Sequence, residues 1–199
     1  MNLEEIYLRT DERREAFKAL IKTTQFLNET EEDIYNWKWF IISLHNSLQA
    51  FMVIALKGSN SLSVMKPEHA KKWLLAYETG NQFPNAKLNY FSELFNKIKS
   101  NEMSLFTNSK VFTSTDSIDE SVRELNELRN RFIHFMPMGW SLSILGLPDL
   151  GLDIVTILKF LVSESGNIYF YEEGTMEQTE HLLEDLSYKL NVIKSKYLV

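Results

Sequence analysis

Between Thr30 and Leu56, apolar side chains recur at Ile34, Trp37, Ile41, Leu44, Leu48, Phe51 and Ala55. Spacings of three and four place them on one stripe of a long helix. Thr30, with Asp33 after it, is the expected start, and Gly58-Ser59-Asn60-Ser61 the stop. An earlier helix is expected over Asp11–Leu27, with Phe17, Leu20, Ile21, Thr24 and Leu27 on its face. Pro67–Tyr77 reads as a short helix, since proline is tolerated in a first turn. Gly80–Asn85 is a loop, and Leu88–Ile98 a further helix with Phe91, Leu94, Phe95 and Ile98 on one side.

Asn101–Asp116 is rich in Ser, Thr and Asn and is expected to form a long, partly mobile loop. Ser117 and Glu120 fit a capping box that opens a helix running to about Phe135, where Pro137 and Gly139 end it. Pro148-Asp149 opens the next helix, through about Ser163. Asn167–Glu172 alternates as a short strand or hairpin edge would. A last helix spans Met176–Lys196, with Leu183, Leu186, Leu190, Ile193 and Tyr197 as its stripe. The prediction is an all-α antiparallel helical bundle, one domain over 1–199, with long loops.

Composition narrows the function classes. The 44% apolar content suffices for a continuous core, and no repeat or low-complexity linker divides the chain. Without cysteine, disulfides, thiolate zinc sites and thiol nucleophiles are excluded. The N-terminal residues Met1–Glu5 lack the basic and apolar regions of a signal peptide. The apolar stretches look too interrupted to span a bilayer, so no membrane partner and a cytoplasmic location are expected. The net charge of −6 argues against a protein that coats nucleic acid through its phosphates. It leaves room for an enzyme that grips one or two phosphates locally.

The helix from Ser117 carries an unusual residue. At 100° per residue, Ile118, Val122, Leu125 and Phe132 fall within about 60° of Arg129. An arginine thus takes a place in the apolar stripe, where burial costs several kcal/mol unless acceptors or an anion meet it (order of magnitude). Asn130 and His134, four apart, share the flank beside it. A permanent cation, an amide and an imidazole are the parts needed to cleave RNA without a metal. Imidazole can exchange a proton near neutrality, and arginine can grip the scissile phosphate.

The segment Leu128-Arg129-Asn130-Arg131-Phe132-Ile133-His134-Phe135 resembles the Arg-polar-x-x-x-His motif of the HEPN superfamily. The bare Arg-to-His spacing is common by chance. With the adjacent Asn at one fixed spacing, about 0.01 occurrences are expected in this composition. A looser likeness to a bacterial HEPN-like group extends over Trp37–Leu147, through Leu44-His45-Asn46-Ser47-Leu48-Gln49 and Pro137-Met138-Gly139-Trp140. The resemblance implies a helical bundle that dimerises so that two motifs face each other across an RNA-cutting cleft. It assigns catalysis to Arg129, Asn130 and His134. The products would be a 2′,3′-cyclic phosphate and a 5′-hydroxyl, with no cofactor and no metal. RNA, tRNA among the candidates, would be the substrate, and an antitoxin or defence partner would be encoded nearby. Arg131, His45, Asn46 and Trp140 are the expected substrate-binding residues.

Plainer roles stand beside these. Arg129 could pair with a buried glutamate, and His134 could interact only with its helix dipole. Asn130 could be a polar flank and Arg131 a solvated charge. His45 and Asn46 could be structural, and Trp37, Trp39 and Phe40 core residues. Trp140 could staple its loop. His69 and His181 read as surface residues, and no HExxH, phosphate-loop or dinucleotide pattern is present. A dimeric HEPN scaffold that binds nucleotide, RNA or protein without cleaving is the second functional reading.

Overall fold

The computed structural model describes residues 7–134, 137–170 and 175–197. Seven α-helices account for most of them: α1 Glu12–Glu29, α2 Asn36–Leu56, α3 Pro67–Thr79, α4 Phe91–Ile98, α5 Asp116–Ile133, α6 Leu147–Lys159 and α7 Met176–Tyr197. They form a helical bundle around α2. Helix α1 packs along most of α2, while α4, α5 and α6 cover its other sides, and α7 closes against α6 and α1.

The stripe expected on α2 is in the core: Trp37, Ile41, Leu44, Leu48, Phe51 and Ala55 are all buried. Its first member is not. Thr30 ends α1, where its hydroxyl donates to the Leu27 carbonyl at 2.7 Å, and α2 starts only at Asn36. Ile34 therefore lies in the connecting turn and is 63% exposed. Trp37 and Phe40 are core residues as expected, but Trp39 is on the surface, under the ammonium of Lys38. Helix α2 is, by length and a mean hydropathy of 1.5, apolar enough to cross a membrane, contrary to the expectation that no stretch would be. In this fold, 67% of that window is buried against its neighbours.

Other boundaries also shift. On α1 the buried positions are Ala16, Leu20, Thr23 and Leu27, and Phe17, Ile21 and Thr24 flank them. Leu88 does not open α4. It makes an isolated antiparallel bridge with Met65, and the helix starts at Phe91. Thr115, not Ser117, caps α5: its Oγ1 accepts from the Ile118 amide at 3.3 Å. Ser117 lies within the first turn and donates to Asp153 of α6 at 2.9 Å. Helix α5 ends at Ile133 with His134 as its cap, and Phe135 lies outside the described residues.

The segment between α4 and α5 is anchored, against the expectation of a mobile loop. A short 3₁₀ turn, Asn101–Met103, follows α4, and buried Phe112 packs on Phe95 and Phe160. Asn167 pins it from across the fold. Its Nδ2 donates to the carbonyls of Met103 at 2.8 Å and Ala55 at 3.0 Å. Its Oδ1 accepts from the Ser109 hydroxyl at 2.5 Å. The strand expected at Asn167–Glu172 does not form over Asn167–Phe170, and Tyr171 and Glu172 lie outside the described residues. The buried side-chain amide of Asn167 instead ties the end of α2 to the segment after α4.

Candidate active site

Helix α5 brings the motif to one end of the bundle. Its buried positions are Ile118, Ser121, Val122, Leu125 and Leu128. The centre of that face lies roughly 45° from Arg129 on a helical wheel. Arg129 consequently sits at the edge of the packing face and is half-buried, not in the core. One end of the guanidinium is used: Nη1 donates to Asn130 Oδ1 at 3.0 Å. Its Nε is buried without a hydrogen-bond partner. The buried glutamate considered as its partner is absent, since no carboxylate pairs with Arg129 among the described residues.

His134 occupies the C-cap of α5, where its backbone N–H donates to the Asn130 carbonyl at 2.8 Å. Its side chain is exposed. An imidazole held at a helix end, open to solvent, can reach a bound strand and exchange a proton with it. The helix-dipole contribution and such a role are compatible, because both need the ring at the C-terminal turn.

His45 behaves differently. It is 2% exposed, stacks on Phe91 at 4.0 Å between centroids, and its Nε2 lies 3.1 Å from Asn126 Oδ1 on α5. Because an amide oxygen only accepts, Nε2 carries the proton and Nδ1 is left as the acceptor. Burial pushes the ring's pKa down to about 4, the Asn126 bond opposes this, and the charge of Arg129 pushes it further down. His45 is thus a neutral neighbour behind Arg129, not a general acid or base at neutral pH. Asn46, next to it, is exposed, and its side chain adds a smaller upward push on the ring's pKa.

Arg131 and Trp140 meet on the other side of the motif. The Arg131 guanidinium lies 5.9 Å from the Trp140 ring centroid, and Trp140 packs on Phe132 at 5.1 Å. With Tyr35 and Lys38 from the start of α2 they line a groove of about 500 Å³. Trp140 does staple the chain after the motif, yet it remains 37% exposed and lines the groove. Tyr35 and Lys38 were not singled out from sequence. The tyrosine lies just before α2, and only folding brings it beside Trp140.

His69 is half-buried, with an unpartnered Nδ1, and is therefore not the plain surface residue expected. His181 is a surface residue, 3.1 Å from Asp185. Among the described residues no three His, Asp or Glu side chains cluster as a metal site. The chain matches no family model, no curated protein and no solved structure.

Proposed function

We propose that the chain is a metal-independent endoribonuclease of the HEPN type, active in the cytoplasm as a homodimer. The observation that carries this reading is Arg129. It is a half-buried cation whose Nε has no partner; among the described residues no carboxylate pairs with it, and its guanidinium donates to Asn130. A folded protein gains little from such an arrangement, whereas a scissile phosphate would satisfy the guanidinium. His134, exposed at the end of the same helix, supplies an imidazole open to a bound strand.

The reaction needs both a base and an acid. One imidazole takes the proton of the 2′-hydroxyl as its oxygen bonds to phosphorus. The P–O5′ bond breaks, and a second imidazole gives a proton to the leaving oxygen. The products are the cyclic phosphate and the 5′-hydroxyl. His45, buried and neutral, does not provide the second imidazole. A symmetric dimer that presents His134 of a second copy does. The resemblance supports a setting in defence or growth arrest, with tRNA or other cellular RNA as target and a neighbouring gene encoding the partner.

The test is cleavage of total RNA in chelator by the full chain and by His134→Ala. Loss of a general acid or base should lower the rate roughly 100-fold or more. If wild type cuts no RNA, or the two proteins cut alike, the second reading takes its place: a dimeric module that binds nucleotide, RNA or protein. The overall charge of −6 favours that module.

A further inference from the structure

The groove beside the motif combines aromatic and aliphatic side chains with two cations. Aromatic rings of Tyr35 and Trp140 line it, together with Phe132, and its charged members are Lys38 and Arg131. No carboxylate lines it, although the chain carries 27 acidic residues against 21 basic ones. Each cation sits by a ring: Lys38 Nζ is 5.3 Å from the Tyr35 centroid and 3.3 Å from its hydroxyl, and Arg131 lies over Trp140. Neither Lys38 nor Arg131 joins an ion pair among the described residues.

Aromatic faces flanked by unpaired cations bind unpaired nucleobases: the ring stacks while the cation meets the adjacent phosphate. A base inside a duplex has both faces covered by its neighbours and cannot enter. The groove shares α5 with the motif: Arg131 and Phe132, two of the three residues between Asn130 and His134, line it, whereas Arg129, Asn130 and His134 do not. The geometry points to this groove as a subsite for one unpaired nucleotide of a strand that passes the motif. This rests on the proposed nuclease reading and adds a substrate class to it: single-stranded RNA, or a loop with an extruded base. Stacking accepts any base, so the subsite selects for strandedness before sequence.

The test uses the full chain carrying His134→Ala, so that the strand stays whole, and a labelled oligouridylate followed by fluorescence anisotropy. The same length of RNA duplex is the comparison. The single strand is expected to bind more tightly than the duplex. Adding Trp140→Ala should weaken single-strand binding roughly 5- to 150-fold, the span of one lost base stack. Trp140→Phe should restore most of it. Lys38→Ala, at a half-buried position, and Arg131→Ala, at an exposed one, should each weaken binding and reduce its salt dependence. Equal binding of strand and duplex, or no effect of Trp140→Ala with helicity unchanged, overturns the subsite. So does a protein that binds no oligonucleotide but sediments as a dimer dissociated by Trp140→Ala, which would give the groove to a second copy. Binding with these dependences by a chain whose wild type never cleaves RNA would keep the subsite and remove the nuclease.

Discussion

Nε2 of His45 lies 3.1 Å from Oδ1 of Asn126, joining α2 to α5 one turn before Arg129. The bond selects one tautomer of a buried ring, which burial keeps neutral beside a permanent cation. The ring's proton affinity, the stability of the bundle and the placement of Arg129 are therefore linked.

The pH dependence follows with a definite sign. His45 has a folded pKa of about 4, below its ordinary 6.5, with burial as the main cause. The unfolded chain therefore binds the proton more readily. The contribution to stability is fully present above pH 6.5 and is lost as pH falls toward 4, by about 3 kcal/mol. Urea unfolding at pH 7, 5.5 and 4.5 should show that loss. In His45→Gln, which keeps a polar group toward Asn126, stability should be nearly flat over the same window. An equally steep fall in the variant would assign it to other groups.

Arg129→Met should separate function from stability. It removes a half-buried guanidinium whose Nε has no partner. The unfolding free energy should stay level or rise by about 0.5–2 kcal/mol, as happens when a functional residue is relieved of its cost. RNA cleavage should disappear. Arg129→Lys should keep the fold but rescue cleavage poorly, because an ammonium lacks the planar fork that grips two phosphate oxygens. A marked drop in Tm for Arg129→Met would show a structural role instead.

Asn167→Leu should destabilise the protein by about 2–4 kcal/mol, since it strands the buried carbonyls of Ala55 and Met103 and frees Ser109. Asn167→Asp should be no better, because a carboxylate cannot donate to either carbonyl. Hydrogen exchange should quicken selectively over residues 101–112. Uniform exchange through α2 as well would mean that the amide holds more than the loop.

Gly151→Ala tests how closely α6 approaches its neighbours. A Cβ there would lie 2.8 Å from Cδ2 of Leu190 and 3.3 Å from Cζ of Phe40, both fully buried. In an open helix this change would stabilise by up to about 1 kcal/mol. Here the overpacking should dominate, for a net loss of about 1–2 kcal/mol, read from the urea midpoint.

Read alone, the sequence determined the all-α class, the central helix with its buried stripe, and the stripe of α7. Periodicity settles these because one buried face of a helix needs apolar residues every three or four positions, whatever it packs against. It also determined the unusual position of Arg129 and the Arg-Asn-x-x-x-His spacing, which are local to one helix. Tertiary structure decided the rest. Ile34 was lost from the core because Thr30 closes α1 and the chain must turn before α2. Thr115 displaced Ser117 as the cap, and Ser117 turned to Asp153, a partner 36 residues away. Whether Arg129 was central or marginal to its face depended on Leu128 and Ser121, whose burial is set by facing helices. The union of Tyr35 and Lys38 with Arg131 and Trp140 joins segments about a hundred residues apart. No spacing rule within either segment encodes that meeting, because it depends on how α2 and α5 cross.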